Sequence, residues 1–224
     1  MGVATSDLVA GRRTGVKKAR TLPVDAVLAD LARLVREAEA EPDPLAAALG
    51  RAVRDGWFRH VLSLGVGSET PGLVRAAWTS PHAVAVSVVS HDPAEGSALM
   101  DVTGVETLLA TFILSIAPAV VRDVDGERVA VYDLGSIVPA SHDPADLVVV
   151  RGLPVELGGR RGALLQGLEF CRAGTALLVP DVAKAERPAV GRWQGAVAAA
   201  GGAAASLKVG KRRLATARLA IDRD

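Results

Sequence analysis

Val61-Leu-Ser-Leu-Gly-Val-Gly-Ser-Glu-Thr-Pro71 is an apolar strand that breaks into Gly65-x-Gly67 and then into the start of a helix. Glycines at a strand end let a ligand approach the backbone closely, and the helix that follows offers free N–H groups. Two glycines do not complete the dinucleotide fingerprint, because its third glycine is missing. The segment acquires meaning from its surroundings. With His60–Leu64 as strand one, four more apolar runs of strand length follow: Ala83–Val89, Arg128–Tyr132, Asp146–Val150 and Thr175–Val179. Helical patterns alternate with them at Leu73–Trp78, Ala94–Ala117, Ala163–Phe170 and Glu186–Ala200, the last stopped by Gly201-Gly202. Near-continuous Val/Leu runs separated by helices predict an α/β fold, a doubly wound, mostly parallel sheet buried on both faces.

The end of the chain departs from this alternation. Ala205–Val209 and Leu214–Ile221 are strand-like runs joined only by a Gly210-Lys-Arg turn, which predicts a C-terminal antiparallel hairpin. Upstream, Val24, Val27, Leu28, Leu31, Leu34 and Val35 fall on one helical face, with Pro23 suited to the first turn. Pro44 starts a second helix that runs to Asp55. The resulting division is a basic tail over 1–22, N-terminal helices over 23–56, and a sheet domain over 57–224. For the tail, with Arg12, Arg13, Lys17, Lys18 and Arg20 against Asp7, two readings stand: a mobile segment, or an arm for a phosphate-bearing partner.

Composition bounds the function. Half of the 224 residues are hydrophobic, and the formal net charge is +1, so no global field for nucleic acid is implied. One cysteine, Cys171, excludes an internal disulfide framework and suits a reducing, cytoplasmic setting. The first 20 residues hold no apolar signal segment. The longest charge-free apolar stretch, Thr107–Val121, is interrupted by Pro118 and is short for a membrane span, so a buried helix is expected there.

Several ordered motifs now resemble the class I, Rossmann-like S-adenosylmethionine-dependent methyltransferases, from Trp57 to the C-terminus. Leu64-Gly65-Val66-Gly67-Ser68-Glu69-Thr70 is similar to that family's glycine loop, which holds the methionine end of the cofactor. Val88-Val89-Ser90-His91-Asp92-Pro93 resembles the tip of its second strand, and Asp146-Leu-Val-Val-Val-Arg-Gly-Leu-Pro154 the end of its fourth. Arg161-Gly-Ala-Leu-Leu and Gly174-Thr-Ala-Leu-Leu-Val-Pro-Asp181 resemble its fourth helix and fifth strand. The resemblance implies S-adenosylmethionine as cofactor, a small-molecule acceptor, and a cofactor site of Gly65, Gly67, Ser68, Ser90, Asp92 and Arg151.

Three positions depart from the pattern. Ser63 stands where the family carries an acid two residues before the first glycine, and Ser90 where a carboxylate accepts from both ribose hydroxyls. Arg151 replaces the acid at the end of strand four, which in the metal-dependent, catechol-type branch helps hold magnesium; no metal site is expected here. Asp92 either reaches the ribose or caps the next helix. Methyl transfer asks mainly for an acceptor held in line and sometimes a base, and His91 and Asp181, at strand ends, are the catalytic candidates. His142-Asp143 reads as a turn, Glu69 as a helix-start carboxylate favoured by the dipole, and Trp57, Trp78 and Trp193 as packing residues. Cys171 reads as a small buried hydrophobe. The arginines of the loop Arg151–Gly162 either clamp an acceptor's carboxylate or phosphate or lie in solvent.

Two functions compete. One is a metal-free methyltransferase acting on a small molecule. The other is a catalytically silent methyltransferase-like partner or scaffold subunit, favoured by the lost acids, with the apolar segment around Phe112 as an interface; homo- and hetero-oligomers are both open. A nicotinamide-dependent oxidoreductase fits less well, lacking the third glycine and a ribose acid in register.

Overall fold

The computed structural model describes residues 24–103, 112–124, 126–136, 145–199, 201–209 and 212–218. The basic tail and the His142-Asp143 pair lie outside them. In chain order the elements are α1 (Val24–Glu37), α2 (Pro44–Arg54), β1 (His60–Leu64), α3 (Thr70–Thr79), β2 (Ala85–Ser90), α4 (Pro93–Thr103), β3 (Phe112–Ile116), β4 (Ala119–Val124), β5 (Glu127–Tyr132), β6 (Ala145–Val150), α5 (Arg161–Glu169), β7 (Cys171–Val179), α6 (Arg187–Ala199), β8 (Ala203–Val209) and β9 (Arg212–Arg218).

Seven strands form one sheet in the order β3-β2-β1-β6-β7-β9-β8. The first five are mutually parallel; β9 runs antiparallel to β7, and β8 antiparallel to β9. The α/β reading and the terminal hairpin therefore hold. Along each central strand successive side chains enter opposite cores, as the period of two demands. Val61, Val86, Val88, Leu147, Val149, Ala176 and Leu178 pack with α1, α2 and α3 through Leu31, Val35, Leu49 and Leu73. Leu62, Leu64, Val89, Val148, Val150, Leu177 and Val179 pack on the other face with Leu164, Val190, Trp193 and Tyr132.

The middle of the chain corrects the sequence reading. The segment expected to be helical from Ala94 to Ala117 is helical only as far as Thr103 among the described residues, and Phe112–Ile116 is the parallel edge strand β3. Phe112 is buried in the core rather than free as an interface. Arg128–Tyr132, expected as the third strand of the sheet, belongs instead to a separate two-stranded ribbon in which β5 pairs antiparallel with β4. A short unbroken apolar run carries no period that separates strand from buried helix, and Phe-Ile-Leu-Ser-Ile is such a run. The ribbon was signalled by Asp125-Gly126 between two β-branched runs, since Gly126 supplies the positive φ of 78° that a tight hairpin needs.

The ribbon is fastened to the body at its return. Gln166 on α5 is buried; its Oε1 accepts from the Tyr132 amide at 2.9 Å and its Nε2 donates to the Tyr132 carbonyl at 2.7 Å. One side-chain amide thus serves β5 as a partner strand would. Gly162, in the first turn of α5, lies so close to β5 that an added Cβ would overlap the Ala130 carbonyl. Tyr132 is thereby held at the carboxyl edge of the parallel strands.

Candidate functional site

The carboxyl ends of β1, β2, β6 and β7 share one edge of the sheet, the usual ligand face of an open α/β fold. At its centre the chain leaves β1 at Gly65, whose φ of 101° suits glycine alone. Gly65 N donates to Val89 O at 2.8 Å, while Arg151 N and Gly152 N both donate to Leu64 O, at 2.9 and 2.8 Å. These bonds pin the loop between β2 and β6. Ser63, fully buried, donates its hydroxyl to Gly65 O at 2.8 Å and so stabilises the turn itself. Gly67 N donates to Thr70 Oγ1 at 2.8 Å and closes the loop onto α3.

Both glycines are bare because something lies against them. A Cβ on Gly65 would stand 2.8 Å from Arg151 Cβ, 2.9 Å from Gly152 O and 3.1 Å from Tyr132 Oη. A Cβ on Gly67 would overlap Arg151 Nε and come within 2.7 Å of Glu69 Oε1. The Arg151 guanidinium therefore lies across the loop. Its Nε donates to Glu69 Oε1 and Oε2 at 2.9 and 3.1 Å, its Nη2 also donates to Glu69 Oε2, and its Nη1 donates to Asp181 Oδ2 at 2.8 Å. The Glu69 side chain is 0 % exposed, that of Arg151 14 %, and that of Asp181 31 %. Burial alone would lower the Arg151 pKa, but the hydrogen bonds and charge of Glu69, then those of Asp181, outweigh it and hold the guanidinium above its ordinary value.

Asp181 carries the one positive φ among the described non-glycine residues, 51°. Arg160 holds that backbone by donating to Pro180 O and to Asp181 O, and its Nε pairs with Glu186 at 3.3 Å. Burial lowers the Arg160 pKa, with Glu186 opposing and Arg151 adding to the effect. Arg161 pairs with Glu127 on the ribbon. All three loop arginines thus bind carboxylates of this chain: Arg151 and Arg160 in largely buried pairs, Arg161 in an exposed one.

A second cluster forms at the tip of β2. Ser90 is fully buried and donates its hydroxyl to Glu95 Oε2 at 2.8 Å, so the first turn of α4 brings a carboxylate to this tip. Asp92 caps the start of α4, accepting from Ala94 N at 2.8 Å. Tyr132, the one tyrosine of the chain, is fully buried and donates its hydroxyl to Gly152 O at 2.8 Å. Burial, then the charge of Glu95, pushes its phenol above the ordinary value, so it remains a donor through the physiological range.

Of the expected site residues, Gly65, Gly67, Arg151 and Asp181 come together, while Ser90 and Asp92 stand in the second cluster. His91 is half-buried in the turn after β2, and Ser68 is exposed beside the loop. Glu69 is more than a helix-start charge: it makes no capping bond and is buried against the guanidinium. Of the three tryptophans, Trp78 is 51 % exposed and does not pack as expected, whereas Trp193 is buried and Trp57 lies against the core. Cys171 donates its thiol to Gly167 O at 2.9 Å, and burial pushes it up to about 12. Glu95, Tyr132 and Gln166 escaped sequence reading, since their roles arise from contacts between segments far apart in the chain or across a turn.

No protein-family model matches this sequence, and no curated protein matches it. Solved structures do. The chain is similar to the O-methyltransferase TomG of Streptomyces achromogenes, which is involved in tomaymycin synthesis and was crystallised with S-adenosylmethionine: TM-score 0.55, 16% identity, 89% of this chain and 92% of that one covered. An O-methyltransferase of Bacillus cereus bound to S-adenosylhomocysteine gives TM-score 0.54 at 12% identity, over 88% and 92% of the two chains. The S-adenosylhomocysteine-bound methyltransferase PaMTH1 of Podospora anserina gives TM-score 0.54 at 13% identity, over 92% and 91%. The fold is that of the Rossmann-like methyltransferases. Among the described residues no helix is long and apolar enough to cross a membrane, and no three His, Cys, Asp or Glu side chains group as a metal site would require.

Proposed function

We propose that this chain is an S-adenosylmethionine-dependent methyltransferase acting on a small-molecule acceptor without a metal ion. The observation that carries the reading is the glycine loop backed by a buried carboxylate. In dinucleotide enzymes the helix N-terminus after such a loop receives a pyrophosphate. Here that position belongs to Glu69, fully buried and negative, which repels phosphate and suits a ligand whose near end bears a cation. The bare backbone of Gly65 and Gly67 fits the methionine end of the cofactor, with Arg151 as the group that must accommodate it. At the tip of β2 the ribose falls to Ser90 and Glu95, a hydroxyl and a carboxylate within one hydrogen-bonded pair.

When bound, S-adenosylmethionine supplies an activated methyl group. The chain's part is to orient and to remove a proton. Asp181, the most exposed acid of the central cluster, is the candidate to take a proton from the acceptor at its carboxylate, with His91 the second candidate. Arg151 stands between Glu69 and Asp181 and supplies the positive charge there, which supports chemistry without a divalent ion. The exposed apolar residues Val155 and Leu157, in the loop after β6, offer a surface for a small acceptor.

The guanidinium lying within the glycine loop also supports the second reading, a silent relative serving as a partner subunit. Titration calorimetry with S-adenosylmethionine and S-adenosylhomocysteine separates the two. Micromolar binding, lost on Gly67→Val because the new side chain would fill the space over the loop that the cofactor must enter, together with turnover insensitive to chelators, is the expected result. Failure of a folded protein to bind either nucleoside at millimolar concentration overturns the enzyme.

A further inference from the structure

Glu69 is fully buried, and among the described residues its hydrogen bonds run to Arg151, through Nε and Nη2. That guanidinium fills the space a Cβ on Gly67 would occupy, with Cζ 2.8 Å from the added atom. A ligand that approaches the glycine loop closely must therefore move the guanidinium. A buried carboxylate stripped of its counter-ion is strongly unfavourable, so the ligand has to bring a cation of its own. Arg151 has somewhere to go: Nη1 already donates to Asp181 Oδ2 at 2.8 Å, and that carboxylate lies nearer the solvent.

We propose that Glu69 is a counter-ion site for a primary ammonium group and that Arg151 is its resident stand-in, moving wholly onto Asp181 when the ligand arrives. This rests on the cofactor reading above and deepens it: the ammonium is that of the amino-acid end of an adenosyl amino acid. At Glu69 itself the exchange replaces one cation by another, so a ligand with no cationic group at that end cannot drive it. Specificity for the amino-acid end is then set by Glu69, two residues beyond Gly67.

The test compares three nucleosides by calorimetry: S-adenosylhomocysteine, its analogue lacking the amine, and 5′-methylthioadenosine, which lacks the whole amino-acid end. Wild-type protein binds the first at least about tenfold more tightly than the desamino analogue, the scale of one charge-assisted hydrogen bond. Glu69→Gln shrinks that ratio below about threefold and leaves methylthioadenosine unchanged. Should Glu69→Gln fold poorly, the wild type still decides. Raising the pH through the ligand's amine titration weakens S-adenosylhomocysteine and spares methylthioadenosine. The nitrogen-15 resonance of Arg151 Nε shifts on adding S-adenosylhomocysteine and not on adding the desamino compound. Equal binding of the two homocysteine compounds, or an unmoved Arg151 signal, overturns the exchange while leaving the cofactor reading standing. Binding of none of the three overturns both.

Discussion

Replacing Arg151 by methionine removes the cation hydrogen-bonded to Glu69 and keeps a straight, apolar side chain of similar length. Two carboxylates lose a partner, and they lose unequally. Asp181, 31 % exposed, turns to water, and its share resembles that of a surface pair, about 0–1 kcal/mol. Glu69, 0 % exposed, has no water to turn to, and breaking a buried pair by removing one member costs about 3–5 kcal/mol. For a chain of 224 residues a loss of that size lowers Tm by about 6–20 °C. Urea unfolding followed by circular dichroism reads the change directly. Adding Glu69→Gln removes the stranded charge, so the double variant regains at least about 2 kcal/mol over Arg151→Met, a coupling expected of residues in contact. A single-variant loss below about 1 kcal/mol, with no recovery in the double, would show that the pair behaves as an exposed one and would refute the buried-counter-ion reasoning.

Three further outcomes follow from the framework around the crevice. Gln166→Leu leaves the amide and carbonyl of Tyr132 without partners and lowers stability by about 2–4 kcal/mol, with faster hydrogen exchange at the Tyr132 amide as its local signature. Gly162→Ala forces its new methyl into the Ala130 carbonyl and costs about 1–3 kcal/mol in thermal unfolding, the usual penalty of overpacking. Cys171, pushed by burial from 9.0 to about 12, alkylates with iodoacetamide at pH 8 about a thousandfold more slowly in the folded protein than in urea, the ratio of thiolate fractions. The same raised value means that its contribution to stability is intact below the unfolded value and is lost as pH rises from there through about 12, so Cys171→Ala shows a shallower alkaline decline.

Periodicity made the sheet legible wherever a strand was flanked by helices. His60–Leu64, Asp146–Val150 and Thr175–Val179 are long enough, and bounded clearly enough by turn residues, that only a buried strand accommodates them. The ribbon and β3 were hidden because Phe112-Ile-Leu-Ser-Ile and Ala119-Val-Val have no polar alternation to fix a period, and because Pro118 reads equally as a kink or as a link between strands. At the site, the glycines and Arg151 were visible from their place after strands. Their partners were not. Glu69 announces a charge at a helix start, but its burial is decided by Arg151, 82 residues away. Tyr132 gains its position from Gln166, 34 residues on, and nothing local to either marks the pairing.

The same distinction bears on the three positions where the sequence resemblance implies an acid. Judged position by position, Ser63, Ser90 and Arg151 read as losses from a cofactor site. In three dimensions two of these positions have a carboxylate beside them. Glu95 meets Ser90 from the first turn of α4, and Arg151 is met by Glu69 at the start of α3 and by Asp181 from the end of β7. Ser63 and Ser90 in turn do work an acid could not: each donates a hydroxyl proton, one to the Gly65 carbonyl and the other to Glu95. A carboxylate on α3 or α4 can approach a ligand from the helix side, where the N-terminal dipole stabilises it, instead of from a strand tip. Because the crevice admits acids from helices as well as strands, the absence of a motif acid is evidence about where the negative charge sits, and only weak evidence that the charge is gone.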